Sequence, residues 1–148
     1  MNKEKPITYS AALVIYNKDR SKYLIVKRPD DDKDMAGHWG FPSTSKRYPE
    51  QDWEDVVHLA AKNKLGVKVT IIKEIGEDSI DRGNFILVLR DYEVEVIEGE
   101  PSVPQDSDPA HTQYEKLEWT DNPEKLKKAA KEGSLCSRIF LRVNNISW

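Results

Sequence analysis

Between residues 46 and 64 the sequence gathers side chains that can act on phosphate: Lys46, Arg47, Glu50, Asp52, Glu54, Asp55, His58, Lys62 and Lys64. Clustered carboxylates supply the hard oxygen ligands that Mg²⁺ or Mn²⁺ takes, and an ion held that way can neutralise a phosphate and activate a water. Lysine and arginine bind phosphate without a metal, lysine as a point charge and arginine as a planar fork. The two chemistries compete, because an ammonium group beside a divalent ion repels it. At ~4 Å in a near-surface medium, one unit-charge pair is worth about 4 kcal/mol. The same residues also have a plain structural reading. Acids at a helix start and lysines at its end complement the helix dipole.

Other chemistry-bearing residues are more scattered. Asp30, Asp31, Asp32 and Asp34 surround Lys33 and read either as a cation site or as a solvated acidic loop. His38, His58 and His111 lack the spacing of a zinc site. Gln113 carries an amide where a general base would need a carboxylate. Cys136 is the single cysteine and lies in an apolar stretch, so it reads as a small buried hydrophobe without an intrachain disulfide. Of the four tryptophans, Trp39 and Trp119 suit a core or cleft wall, Trp53 belongs to a helix stripe, and Trp148 ends the chain.

These side chains need elements to hold them. Residues 9–16 form a β-branched, apolar run that reads as a strand, and Tyr23–Lys27 as its hairpin partner. Loops are expected over 28–38 and 43–49, flanking the short apolar piece Trp39–Pro42. Trp53, Val56, Val57, Ala60 and Ala61 recur at helical spacing, with Gln51 or Asp52 as a start and Gly66 as a stop. Strands follow over 67–75, 84–90 and 92–97, with a turn over 76–83. A long loop fills 98–112, and 114–119 is a late strand. Asn122-Pro123-Glu124 opens a second helix that stops at Gly133, and 134–143 is expected to be a third. Strands cluster instead of alternating with helices, which excludes a doubly wound parallel sheet and predicts an α+β fold with a mixed sheet.

The 148 residues suit one domain, read as a tail over 1–8 and a single domain over 9–148. A net charge of −3 from 26 acidic and 23 basic residues disfavours a dedicated nucleic-acid binder. No run reaches the ~18 apolar residues of a membrane span. The polar start and the lone cysteine lead to the expectation of a cytoplasmic protein.

The element order, with Trp39-Gly40-Phe41-Pro42 ahead of the loop and helix and Leu65-Gly66-Val67 closing it, resembles the Nudix (MutT-like) hydrolase family over nearly the whole chain. The resemblance implies a Nudix-type α/β/α sandwich. The family pattern runs W-x-F/L-P-G-G and then G-x5-E-x7-R-E-U-x-E-E-x-G-U, where U is a bulky aliphatic residue. Here Ser43-Thr44 replaces the glycine pair, and Glu50 falls on the first glutamate. The interval from Glu50 to Gly66 is one residue too long. Counted forward from Glu50, R-E-U-x-E-E falls on 58–63; counted back from Gly66, it falls on 59–64. Neither register recovers one of the pattern's helix glutamates.

Three functions follow from the resemblance and this departure. The first is a Nudix-fold protein that binds a nucleotide or other phosphate-bearing ligand with weak or no Mg²⁺-dependent turnover. Its candidate ligand-binding residues are Lys46, Arg47, Lys62, Lys64 and Trp39. No cofactor is expected on that reading. The second is a divergent hydrolase of a nucleoside diphosphate derivative, using Mg²⁺ or Mn²⁺, with Glu50, Glu54 and His58 as candidate catalytic residues. The third is a non-catalytic protein-interaction domain presenting Lys125, Lys127, Lys128 and Lys131. The resemblance leaves a homodimer open.

Overall fold

The computed structural model describes residues 4–30, 35–103 and 114–148. Seven strands and three helices follow one another as β1 (Ile7–Ile15), β2 (Tyr23–Lys27), β3 (Trp39–Gly40), β4 (Ser43–Ser45), α1 (Trp53–Ala60), β5 (Lys68–Asp81), β6 (Ile86–Glu98), β7 (Lys116–Thr120), α2 (Glu124–Lys131) and α3 (Leu135–Val143). One sheet has the order β4-β1-β6-β5 and a smaller one the order β3-β2-β7. β1 and β6 are parallel, while β4 and β5 run antiparallel to their neighbours.

The continuous apolar run of β1 has a structural cause. Successive side chains of a strand point to opposite faces, and here both faces are covered. Ala11, Leu13 and Ile15 pack with Val56, Val57, Ala60 and Leu65 of the first helical segment. Ala12 and Val14 pack with Leu126, Ala130, Ile139 and Phe140 of α2 and α3. The result is a helix–sheet–helix sandwich around a mixed sheet, as the sequence predicts.

Three expectations need correction. Residues 43–45 are not loop: they form β4, an edge strand pairing Ser45, Thr44 and Ser43 with Ser10, Ala11 and Ala12. Short serine and threonine side chains carry no periodicity, but an edge strand needs only backbone partners, and a 2.7 Å Ser10–Ser45 hydroxyl contact adds to them. The turn expected over 76–83 is shorter, because β5 runs through Gly76 to Asp81. A register irregularity between Glu74 and Gly76 absorbs the glycine. A Cβ at Gly76 would stand 3.0 Å from Ile139 Cγ2, so the missing side chain lets α3 close on the strand. β6 continues unbroken through Asp91, which joins the two strands expected there.

The helical path does not stop where α1 ends at Ala60. It passes into a π-helical turn over Ala61–Leu65, and Gly66 stops it in the left-handed conformation (φ 72°). There the Gly66 and Val67 N–H groups donate to the Lys62 and Ala61 carbonyls. A π turn accommodates a residue more than an α turn, as a bulge within a helix. Asn63 and Lys64 lie within this turn.

Candidate phosphate site beside the π turn

The π turn turns Lys64 inward. Its residue is only 4% exposed, and its ammonium lies 6.0 Å from the Tyr114 ring centroid. Lysine is almost never this buried without charged or polar company. Lys64 lines a pocket of about 480 Å³ together with Arg28, Lys46, Arg47 and Arg82. Hydroxyls of Ser10, Ser43, Thr44 and Ser45 share the wall, and Phe85, Leu87 and Leu89 complete it. Among the described residues this lining carries five cationic side chains and no carboxylate.

Each cation arrives from a different element. Arg28 follows β2, Lys46 and Arg47 follow β4, Arg82 stands in the β5–β6 turn, and Lys64 comes from the helix end. Several are anchored. The Arg47 N–H donates to Gln51 Oε1 at 2.7 Å, which ties the β4–α1 connection to a buried glutamine. Arg82 Nη2 donates to the Gly133 carbonyl at 3.0 Å. Tyr114, buried beneath the pocket, accepts from the Ser43 N–H at 3.0 Å. Burial pushes its phenol above the ordinary range, so Tyr114 remains a neutral partner for that backbone at physiological pH.

Lys46 rests on aromatic rings. Its Nζ is 4.4 Å from the Trp53 centroid and 5.0 Å from that of Tyr9. Arg90 also lies on Trp53, at 4.2 Å, and is held there by Glu77 at 2.8 Å and Glu74 at 3.1 Å. Contacts of this kind are worth about 0.5–1 kcal/mol at exposed sites and more when desolvated. Trp53 thus positions Lys46 at the pocket wall. For an anion seated in this pocket, Trp53→Leu is expected to weaken binding about three- to tenfold, with Trp53→Phe intermediate. Titration calorimetry checks this, and equal affinities in all three proteins would remove the positioning role.

The structure gathers some of the candidate residues and separates others. Lys46, Arg47 and Lys64 meet at the pocket. Lys62 points to solvent, and Glu50, Glu54 and His58 are exposed and contribute nothing to the pocket wall. Trp39 lines an adjoining cavity instead, with Lys125 4.2 Å above its ring. Asp30 accepts from Lys27 at 3.3 Å. Asp31, Asp32, Asp34, His111 and Gln113 lie outside the described residues. Sequence reading missed Arg28, Arg82 and Tyr114. Each is remote in sequence from the 46–64 segment, and the packing of the two sheets brings them near it.

The described part of the wall supplies no carboxylate ligand. Mg²⁺ requires oxygen ligands in near-octahedral array, whereas the described wall offers ammonium, guanidinium and hydroxyl groups. No trio of His, Cys, Asp or Glu among the described residues is placed to hold a metal.

One titratable group lies apart from the pocket. Asp91, in the middle of β6, is fully buried, and neither carboxylate oxygen has a hydrogen-bond partner. Burial drives its pKa well above the ordinary carboxylate value. The nearby Cys136 thiol is likewise pushed up, first by burial and then by Asp91.

This architecture is the fold of the MutT/Nudix hydrolases. The chain superimposes on a MutT protein from Methanosarcina mazei Go1 with a TM-score of 0.71 over 97% of both chains, at 16% identity. It matches a NUDIX hydrolase from Nitrosomonas europaea with a TM-score of 0.70 at 15% identity, over 95% of this chain and 89% of the other. The E. coli ORF135 protein gives 0.69 at 17% identity, over 95% and 92%. No protein-family model matches the sequence, and no curated protein does. No helix among the described residues is long and apolar enough to cross a membrane.

Proposed function

We propose that this protein binds a phosphate-bearing small molecule in the pocket beside the π turn, through direct contacts from side-chain cations and without a bridging divalent ion. The observation that carries the reading is Lys64: a buried ammonium group on the helix segment where the family pattern has carboxylates, in a wall that gathers four further cations. Ammonium and guanidinium groups replace the charge neutralisation a metal would provide.

The names of the similar structures favour a second reading, a divergent metal-dependent hydrolase. One experiment separates the two. Pyrophosphate and ADP-ribose are titrated into the protein in EDTA and again in Mg²⁺, and product release is followed in parallel. The expected result is binding of equal strength in both media with no turnover. Binding that appears only with Mg²⁺, accompanied by phosphate or monophosphate release, would establish the hydrolase.

A further inference from the structure

We propose that α3 is a pH-sensitive latch: ionisation of Asp91 loosens it from the sheet and uncovers Cys136.

Asp91 stands in the middle of β6, level with Ala12 of β1 and Gly76 of β5. Neither neighbour has a polar side chain to offer it. α3 lies over this point. An added Cβ on Gly76 would stand 3.0 Å from Ile139 Cγ2, and the buried Cys136 thiol is close enough to respond to an Asp91 charge. Glu93 and Asp78 share the face of the sheet that carries Asp91, but each already has a cation. Arg20 is 3.0 Å from Glu93, and Arg142 of α3 is 2.9 Å from Asp78. Arg138, the other α3 cation, donates to the Ala130 carbonyl at 2.8 Å, and Arg28 bears on the Cys136 thiol. Asp91 itself is fully buried with neither oxygen hydrogen-bonded. A neutral carboxyl tolerates such a place far better than a carboxylate, which must be reached by water or by a cation.

Moving α3 is the direct way to let water in. The helix is held on the sheet by side-chain packing, with Leu135, Ile139, Phe140 and Leu141 in one core cluster. It is joined to α2 through Gly133, whose φ of 107° suits glycine alone and marks a pivot. That packing keeps the closed form dominant, so opening is a rare, local event. Opening also withdraws Leu135 and Cys136 from the wall of the inner cavity of about 60 Å³. In the closed form, burial holds the Asp91 carboxyl above its ordinary value of 3.8. Between those two values each pH unit favours the open form about tenfold, because only the open form gives up the proton. Above the raised value the effect levels off.

Cys136 is the single cysteine, so its labelling reports the opening. The test follows its reaction with dithiodipyridine from pH 5 to 8. Each rate is divided by that of the urea-unfolded protein at the same pH, so that thiolate ionisation cancels. The wild-type ratio is expected to climb with pH by up to about tenfold per unit, while Asp91→Asn stays flat. Should Asp91→Asn fail to fold, Asp91→Leu takes its place with the same flat profile expected. Gly76→Ala, which presses on Ile139, is expected to raise the ratio at every pH and to keep the wild-type slope. Urea well below the unfolding transition should leave the ratio nearly unchanged, because opening one helix exposes little surface. A flat wild-type profile, or an equal climb in the Asp91 variant, overturns the proposal. So does labelling that rises steeply with urea, which would assign the exposure to unfolding of the whole chain.

Discussion

Lys64→Glu is expected to abolish anion binding, lowering the affinity for pyrophosphate by at least about a hundredfold in calorimetric titration. The substitution exchanges an attractive charge for a repulsive one at the inner wall of the pocket. With about 4 kcal/mol for a unit-charge pair at ~4 Å in a near-surface medium, even a partly screened reversal spans two or more decades of affinity. Because Lys64 is buried, an acid there also burdens folding, so Lys64→Met is the companion variant. Methionine keeps the apolar stem and removes the charge. It should fold normally by circular dichroism and bind about tenfold more weakly than wild type. Unchanged affinity in a folded Lys64→Met protein would show that Lys64 does not touch the ligand.

The second large effect concerns stability. Asp91→Asn is expected to raise the melting temperature at pH 8 by several degrees, and by much less near pH 4. The folded-state pKa of Asp91 is raised by burial above the ordinary carboxylate value of 3.8. Below that value the carboxyl is protonated in both folded and unfolded chains, and no penalty arises. As pH climbs from 3.8 towards the raised folded value, the unfolded chain gives up its proton while the folded chain keeps it. Stability therefore falls across that window by about 1.4 kcal/mol per pH unit. Asparagine does not titrate, so the variant lacks this slope. For a chain of this size, 1 kcal/mol moves the melting temperature by roughly 2–4 °C. Melting curves recorded from pH 4 to 8 decide the matter: parallel pH dependence in wild type and variant would mean that Asp91 is paired or solvated after all.

Much of the architecture can be read from the sequence where burial imposes a pattern. The apolar run of β1, the helical stripe from Trp53 to Ala61 and the Asn122-Pro123-Glu124 helix start each follow from a local rule; the Asn122 side chain does accept from the Glu124 N–H at 3.0 Å. β4 was hidden because Ser43, Thr44 and Ser45 form an edge through backbone pairing, which side-chain hydropathy does not report. Gly76 looked like a turn residue, but what it permits is the close approach of Ile139. The π turn could be seen only as an inconsistency, a helix segment one residue too long for the family spacing. Its consequence, a lysine turned into the pocket, depends on how that surplus is absorbed. Of the site residues, Lys46, Arg47 and Lys64 were legible because they sit in one segment. Arg82 joins them through the pairing of β1 with β4 and β6 and of β5 with β6, and Arg28 from the end of β2 in the smaller sheet.

The central claim is that cationic side chains in this pocket do the work a divalent ion would do. A crystal structure of the protein grown with pyrophosphate and Mn²⁺, with data collected at the manganese absorption edge, tests it most directly. The account predicts pyrophosphate oxygens within hydrogen-bond reach of Lys64 and its neighbouring cations, and no anomalous peak beside the π turn. A manganese ion seated between the pyrophosphate and residues 50–64, ligated by carboxylate oxygens, would contradict it.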